Sequence, residues 1–347
     1  MDINKELHNE KIDISFCVPI YNVKPYLERL LNSIFSQDLN SISYEFVFVD
    51  DCSTDDSLEH LEKLTAEIPN VRIIKNEKNS GISYTRNKLI DEAKGDYIWF
   101  IDSDDMIYPD TVKLLLNEAK KHNADIVIAN YIKVDEDADV ENAEKITDFE
   151  SKQADLTNWD WLPDKDNGSK MFVVWRGIFK RVFLINNNLY FNKDVIMKED
   201  ALLYYEFVMK NPCVIKCEFP CYYVRQRATS AMNGLNETKA RKYYLSSCAL
   251  IKRYEEHILN GNCRDIEEMK ALIETEKKQI TKCLLKITDK KYVREQLDEL
   301  QKKGLYPYKI KKPTSFNVYQ IMDYLATKNS FFWLVYSLNR LKEKIGK

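Results

Sequence analysis

The sequence predicts a doubly wound α/β layer followed by a helical C-terminal extension. Three observations carry that expectation. Short apolar runs without strict alternation recur through the first 130 residues, amphipathic stretches separate them, and from about Lys239 the composition shifts to Lys, Glu and Leu at helical spacing. Continuous β-branched and aromatic runs indicate strands covered on both faces, as in a parallel sheet. Strand–helix alternation of this kind builds a doubly wound layer.

The first expected strand is Ile14–Ile20. After Asn22, Pro25 sits near a helix start, and Tyr26, Leu27, Leu30, Leu31, Ile34 and Phe35 form one apolar stripe. Tyr44–Val49 is the second strand, and Ser53-Thr54-Asp55 is placed to cap a helix carrying Leu58, Leu61 and Leu64. Val71–Ile74 is the third strand. A helix from about Ile82 to Ala93 is expected to stop at Gly95, read as a C-terminal glycine. Tyr97–Ile101 and Asp125–Ala129 complete the series.

Composition excludes several classes. Only 8 of 347 residues are glycine and none precedes Gly81, so neither a Walker loop nor a G-x-G-x-x-G turn is present. A bound nucleotide would have to be held by side chains and a cation. No apolar run approaches the ~20 residues of a membrane span, and the polar Met1–Asp13 stretch is unlike a signal peptide, so a cytoplasmic location is expected. The eight cysteines are then expected as reduced thiols; Cys213, Cys217 and Cys221 are four apart, unlike the CxxC pairs of zinc sites. Net charge is −3, but residues 301–347 hold ten Lys/Arg and two Asp/Glu, a basic tail on an acidic body. No nucleic-acid partner is expected; the tail suggests an anionic surface.

The carboxylates give the functional clue. Asp50-Asp51 ends the second strand and Asp102-Ser103-Asp104-Asp105 ends the fourth. Ligands of open parallel sheets bind outside the carboxyl ends of strands, and acidic clusters on one edge repel unless something positive lies between them. A hard divalent cation, Mg²⁺ or Mn²⁺, bridging to phosphate oxygens suits two such carboxylates. Asp55 and Asp56 read instead as solvated helix-start residues.

The chain resembles the GT-A glycosyltransferases of family 2, inverting enzymes that use nucleotide sugars. The stretches that carry the resemblance are Val18-Pro-Ile-Tyr-Asn22, Val47-Phe-Val-Asp-Asp-Cys-Ser-Thr-Asp55, Gly81-Ile-Ser-Tyr-Thr-Arg-Asn87, Gly95 to Asp105, and Lys198-Glu-Asp200, in family order over about residues 12–230. It implies a catalytic domain over residues 1–235, with a nucleotide-sugar half at about 12–130 and an acceptor half at about 131–235. Residues 236–347 form the helical region with its basic amphipathic tail. The resemblance sets Pro19 and Tyr21 beside the nucleobase, Asp51 with Asp50 on a base N–H that suits uracil, and Arg86 toward base or phosphate. Asp102 and Asp104 become the D-x-D element, the first leaning toward ribose and the second ligating the metal, and Asp105 assists. Asp200 becomes the base that takes the acceptor proton, with Glu199 in support. Either Arg225 or Arg227 adds positive charge at the diphosphate.

Eight acids and one lysine between Asp135 and Glu150 read as a solvated excursion. Trp159, Trp161 and Trp175 fall where such enzymes bind acceptors, and either stack on sugar rings or anchor the packing. The final stretch, Phe331–Ile345, reads either as an interfacial helix at a membrane surface or as a docked helix with solvated lysines. Lys302-Lys303 and Lys309–Lys312 favour a lipid surface, the inner face of the cell membrane. The donor is thus expected to be a nucleotide sugar, with UDP as its carrier, and the acceptor a glycan or lipid-linked glycan. Three other readings are weaker. A D-x-D phosphatase places its motif after the first strand; a sugar-nucleotide pyrophosphorylase needs a glycine-rich loop there; and a degenerate scaffold would not keep D-x-D, Arg86 and Asp200 intact.

Overall fold

A computed structural model describes residues 11–136, 138, 140, 146–156, 172–226, 235–308, 322 and 324–345. The chain separates into two units, residues 1–193 with 199–230, and residues 194–198 with 231–347. The short segment 194–198 goes with the helical unit, a grouping that no sequence signal marks.

In the first unit, β1 (Ile14–Ile20), β2 (Tyr44–Asp50), β3 (Val71–Lys75) and β4 (Tyr97–Phe100) run parallel in the order β3-β2-β1-β4. Beyond β4 the sheet is mixed. Strand β8 (Gly177–Lys180) pairs antiparallel with both β4 and β6 (Ile126–Asp135), while β6 runs parallel to β9 (Val214–Gln226). The short strands β5 (Met106–Ile107) and β7 (Ser151–Gln153) pair antiparallel with β9. The mostly parallel sheet that the sequence predicts is fully parallel across the first four strands, where a helix makes each crossover; strands that run antiparallel need no such connection. Gly177 marks the join, because a Cβ there would lie 1.9 Å from the Val127 carbonyl oxygen.

Successive residues of β1 face opposite layers. Phe16, Val18 and Ile20 pack with α1 (Leu27–Phe35), α2 (Ser57–Thr65) and α4 (Thr111–His122), whereas Cys17 packs with α3 (Ile82–Glu92) and α6 (Glu199–Val208). This period of two, with helices on both faces, is what the unbroken apolar runs encode. The stripe of α1 is buried at Leu27, Leu30, Leu31 and Ile34. Helix α2 starts at Ser57, where the Asp55 carboxylate accepts the Ser57 amide at 3.0 Å; Ser53 and Thr54 turn instead to Asn22. Gly95 is not a left-handed cap. Helix α3 ends at Glu92 with Ala93 extended, and a Cβ on Gly95 would lie 2.6 Å from the Ser15 amide nitrogen. The position is glycine because the β1 backbone passes against it.

The second unit holds α7 (Glu237–Leu259), α8 (Ile266–Lys286), α9 (Lys290–Lys302) and a last helix, Asn329–Ile345. Asn236, Asp265 and Asp289 cap the first three through their side chains. The last helix docks within this unit: Phe332, Val335 and Tyr336 are buried, and the Tyr336 hydroxyl donates to the Ile287 carbonyl at 2.9 Å. Phe331, Leu334 and Leu338 form an exposed row on it, and Lys309–Lys312 lie outside the described residues. No helix among the described residues is long and apolar enough to cross a membrane.

Candidate active site

Parallel pairing brings the carboxyl ends of β1, β2 and β4 to one edge, with Ile20 directly opposite Asp50. Past β1, Tyr21 stands 44% exposed at this edge, while Pro19 lies within the strand beside Val49. Asn22 takes a left-handed backbone, φ 51°, which Asn tolerates better than most residues. Its carboxamide oxygen accepts the Thr54 amide at 2.8 Å, joining the loops after β1 and β2.

The two aspartates after β2 serve the loops around them. Asp50 is fully buried and accepts the Ser53 amide at 3.2 Å. Asp51 accepts from Asn76 Nδ2 at 2.8 Å, the Ser80 amide at 2.9 Å and the Gly81 amide at 2.8 Å. Gly81 has φ 86°, a conformation open to glycine and strained for other residues. Asp51 thereby holds the 76–81 loop that starts α3. A carboxylate has about four lone-pair sites, so one direction remains for a ligand N–H.

Arg86 projects from α3 into a cluster of carboxylates and is 4% exposed. Its Nη1 lies 2.7 Å from Asp200 Oδ1 and 2.9 Å from Glu199 Oε1, and its Nη2 lies 2.8 Å from Asp102 Oδ1. The Phe191 ring lies against the guanidinium, 5.4 Å from its centroid. Sequence reasoning expects a cation between the acidic clusters, and between Asp102 and the Glu199–Asp200 pair the structure places this guanidinium. Three carboxylates around one cation leave an excess of negative charge. Burial, the largest influence on Asp200, lifts its pKa above the ordinary carboxylate range; Arg86 opposes that, while Glu199 and Asp102 reinforce it. The other Asp200 oxygen accepts the Val174 amide at 3.3 Å.

Asp102 is braced at its own amide, which donates to the Tyr222 hydroxyl at 2.9 Å. Its side chain keeps 29% exposure, and Asp104 is half-buried. Asp105 points inward, accepts the Arg225 amide at 2.9 Å, and is pushed up to about 8, first by burial and then by Asp102. Among the described residues no group of three or more His, Cys, Asp or Glu could hold a metal. The protein offers two hard oxygen donors, Asp102 and Asp104, with one Asp102 oxygen already on Arg86. That donor set fits a cation that takes its remaining ligands from water and phosphate.

Several roles escape sequence reasoning. Trp175 is no acceptor platform: it is 5% exposed and stacks on Tyr222 with ring centroids 4.6 Å apart. Trp159, Trp161 and Arg227 lie outside the described residues. Asn76, Val174 and Phe191 carry no motif signal; only their contacts reveal them.

Comparison with known proteins bears on the same stretch of chain. Residues 15–183 match the family model described as glycosyl transferase family 2. The chain carries a glycosyl transferase family 2 domain. The domain is similar to the poly(ribitol-phosphate) beta-N-acetylglucosaminyltransferase TarS of Staphylococcus aureus, 29% identical over 231 residues that make up 63% of this chain and 37% of TarS. It is also similar to the poly(ribitol-phosphate) beta-glucosyltransferase of Bacillus spizizenii, 29% identical over 219 residues, 62% of this chain and 32% of that protein. The chain thus spans only about a third of the length of these relatives. The crystal structure of S. aureus TarS 1–349 in complex with UDP-GlcNAc superposes with a TM-score of 0.57 and 20% identity, covering 88% of this chain and 97% of that one. The GT-A type α/β fold is shared, as are the helices that follow it.

Proposed function

We propose that the chain transfers a sugar from a UDP-sugar to a hydroxyl of a glycan or polyol-phosphate acceptor, with inversion at the anomeric carbon. The observation that carries this reading is Arg86 holding Glu199 and Asp200 against the Asp102 carboxylate, so that the D-x-D end of β4 and the start of α6 meet at one point. The acceptor is suggested by the relatives, two of which are named for poly(ribitol-phosphate).

The chemistry is a single displacement. Asp200 takes the proton of the acceptor hydroxyl, the oxygen forms its bond to the anomeric carbon, and the bond from that carbon to the diphosphate oxygen breaks. A raised pKa suits a base that must hold a proton transiently. Arg86 fixes the direction of the Asp200 carboxylate and opposes its repulsion with Glu199 and Asp102. Tyr21 would stack on the base, and the free direction at Asp51 would accept its N–H. Asp104, with Asp102, would hold a Mg²⁺ or Mn²⁺ ion that supplies neutralisation of the leaving diphosphate. The exposed row Phe331, Leu334 and Leu338 would let the last helix rest on a lipid surface.

The test is release of UDP from a panel of UDP-sugars, with and without Mn²⁺. Asp104→Ala should abolish metal-dependent nucleotide binding, whereas Asp200→Asn should bind UDP normally and turn over slowly. An Asp200→Asn variant of normal rate would remove the base assignment.

A further inference from the structure

Arg225, on β9, has no part in this chemistry. It is 6% exposed, and its Nε and Nη2 have no hydrogen-bond partner among the described residues. Its guanidinium lies over the Tyr26 ring, 5.2 Å from the centroid. Buried donors left unfilled cost free energy, and native proteins seldom leave them so. One turn beyond Tyr26, Arg29 stands close enough for its charge, after burial, to be the next largest influence lowering the Arg225 pKa. Arg29 donates to the Glu136 carbonyl at 2.9 Å. Neither arginine makes an ion pair with a carboxylate among the described residues. Asp105 and Glu136 pull the Arg225 pKa the other way, each by less than Arg29 lowers it.

Beside this pair lies a cavity of about 520 Å³, lined by Arg29, Asn32 and Ser36 of α1, Met106 of β5 and Tyr223 of β9 among others. Tyr223 is two residues from Arg225 on the same face of the strand, and Met106 is two residues past Asp104. The cavity therefore adjoins the D-x-D turn. It is nonetheless distinct from the Arg86 cluster, since α1 and α3 cover opposite faces of the sheet.

We propose that Arg225 and Arg29 form a phosphate subsite for the acceptor, with the adjoining cavity taking the polyol or sugar unit next to that phosphate. Two neighbouring like charges with no carboxylate paired to either among the described residues, one of them buried with open donors, are matched by an anion with several acceptor oxygens. This deepens the transferase reading and rests on it. It departs from the resemblance, which would put Arg225 or Arg227 on the donor diphosphate.

The experiment is calorimetric titration of the full chain with a ribitol-phosphate oligomer and, separately, with UDP-GlcNAc in the presence of Mn²⁺. Arg29→Ala and Arg225→Ala should each weaken oligomer binding about tenfold or more, as loss of a charge-assisted contact does. Arg225→Lys should retain part of it, and UDP-GlcNAc affinity should stay within about twofold in all three. Oligomer affinity equal to wild type in the variants overturns the subsite. So does a fall in UDP-GlcNAc affinity with oligomer binding unchanged, which would assign the pair to the donor diphosphate. A wild-type chain that binds UDP-GlcNAc but not the oligomer removes the subsite and leaves the transferase reading standing; one that binds neither removes both. Should Arg225→Ala not fold, Arg29→Ala at its exposed position carries the test.

Discussion

The Arg86 guanidinium meets the Asp200 carboxylate at 2.7 Å, across 114 residues of sequence and nine-tenths out of solvent. With Asp102 and Glu199 on the same guanidinium, removal of the cation strands three partly buried anions. Breaking a buried ion pair from one side costs about 3–5 kcal/mol. Arg86→Ala should therefore lower the melting temperature by several degrees and lift the Asp200 pKa further, with Arg86→Lys intermediate. Thermal melts and pH–rate profiles read both effects; an Arg86→Ala chain as stable as wild type would contradict the cluster.

The base catalysis proposed for Asp200 has a sign in pH. Burial lifts the Asp200 pKa above the ordinary carboxylate range, and a protonated carboxyl cannot accept the hydroxyl proton. Turnover should fall on the acid side through a pKa higher than that of an ordinary carboxylate, and level off above it. Asp200→Asn should lose a factor of about 10²–10⁴ and the pH dependence with it. A flat profile in the wild-type enzyme would argue for a different base.

Asp105 predicts a stabilising substitution. Its carboxyl is raised from 3.8 to about 8 by burial and by Asp102. Between about pH 4 and about pH 8 the folded chain keeps a proton that the unfolded chain has released, so stability falls as pH rises through that window. Asp105→Asn keeps an acceptor for the Arg225 amide and removes this penalty. Its melting temperature should exceed that of wild type by a margin that grows from pH 4 to pH 8 and vanishes below pH 4.

Gly81 should resist replacement for reasons of backbone and not of space. A Cβ there meets nothing within 4 Å, yet φ is 86°. Gly81→Ala should cost about 1 kcal/mol and weaken UDP binding through the loop that Asp51 holds. Chemical denaturation and nucleotide titration report the two losses.

The last helix offers a separate test. Replacing Phe331, Leu334 and Leu338 together by Ser leaves its docked face of Phe332, Val335 and Tyr336 untouched. Sedimentation with anionic liposomes should drop while the melting temperature holds. Unchanged sedimentation would confine this helix to a packing role.

Strands β1 to β4 were legible because both faces of each are covered, which writes apolar residues into every position; the carboxylates at their ends stood out against that background. The mixed half of the sheet was not legible, since β8 is four residues long and its place between β4 and β6 rests on Gly177 lacking a side chain. Asp102, Asp104 and Asp200 could be picked out by local pattern. The position of Arg86 between them could not, because no spacing in a sequence encodes a contact across 16 and 114 residues at once. Trp175 stayed open in the sequence for a related reason: an indole looks the same there whether it faces a sugar or Tyr222.

The four residues joined at Arg86 come from the third helix, the turn after the fourth strand and the start of α6. Loop closure over such separations is completed only when most of the chain is in place. On a ribosome, a nascent chain that has emerged only to α4 would own the edge proposed to face the nucleotide and the whole D-x-D, but no Asp200 to set beside it. Activity would then appear late and all at once during synthesis, making turnover a report on whether the first unit has closed.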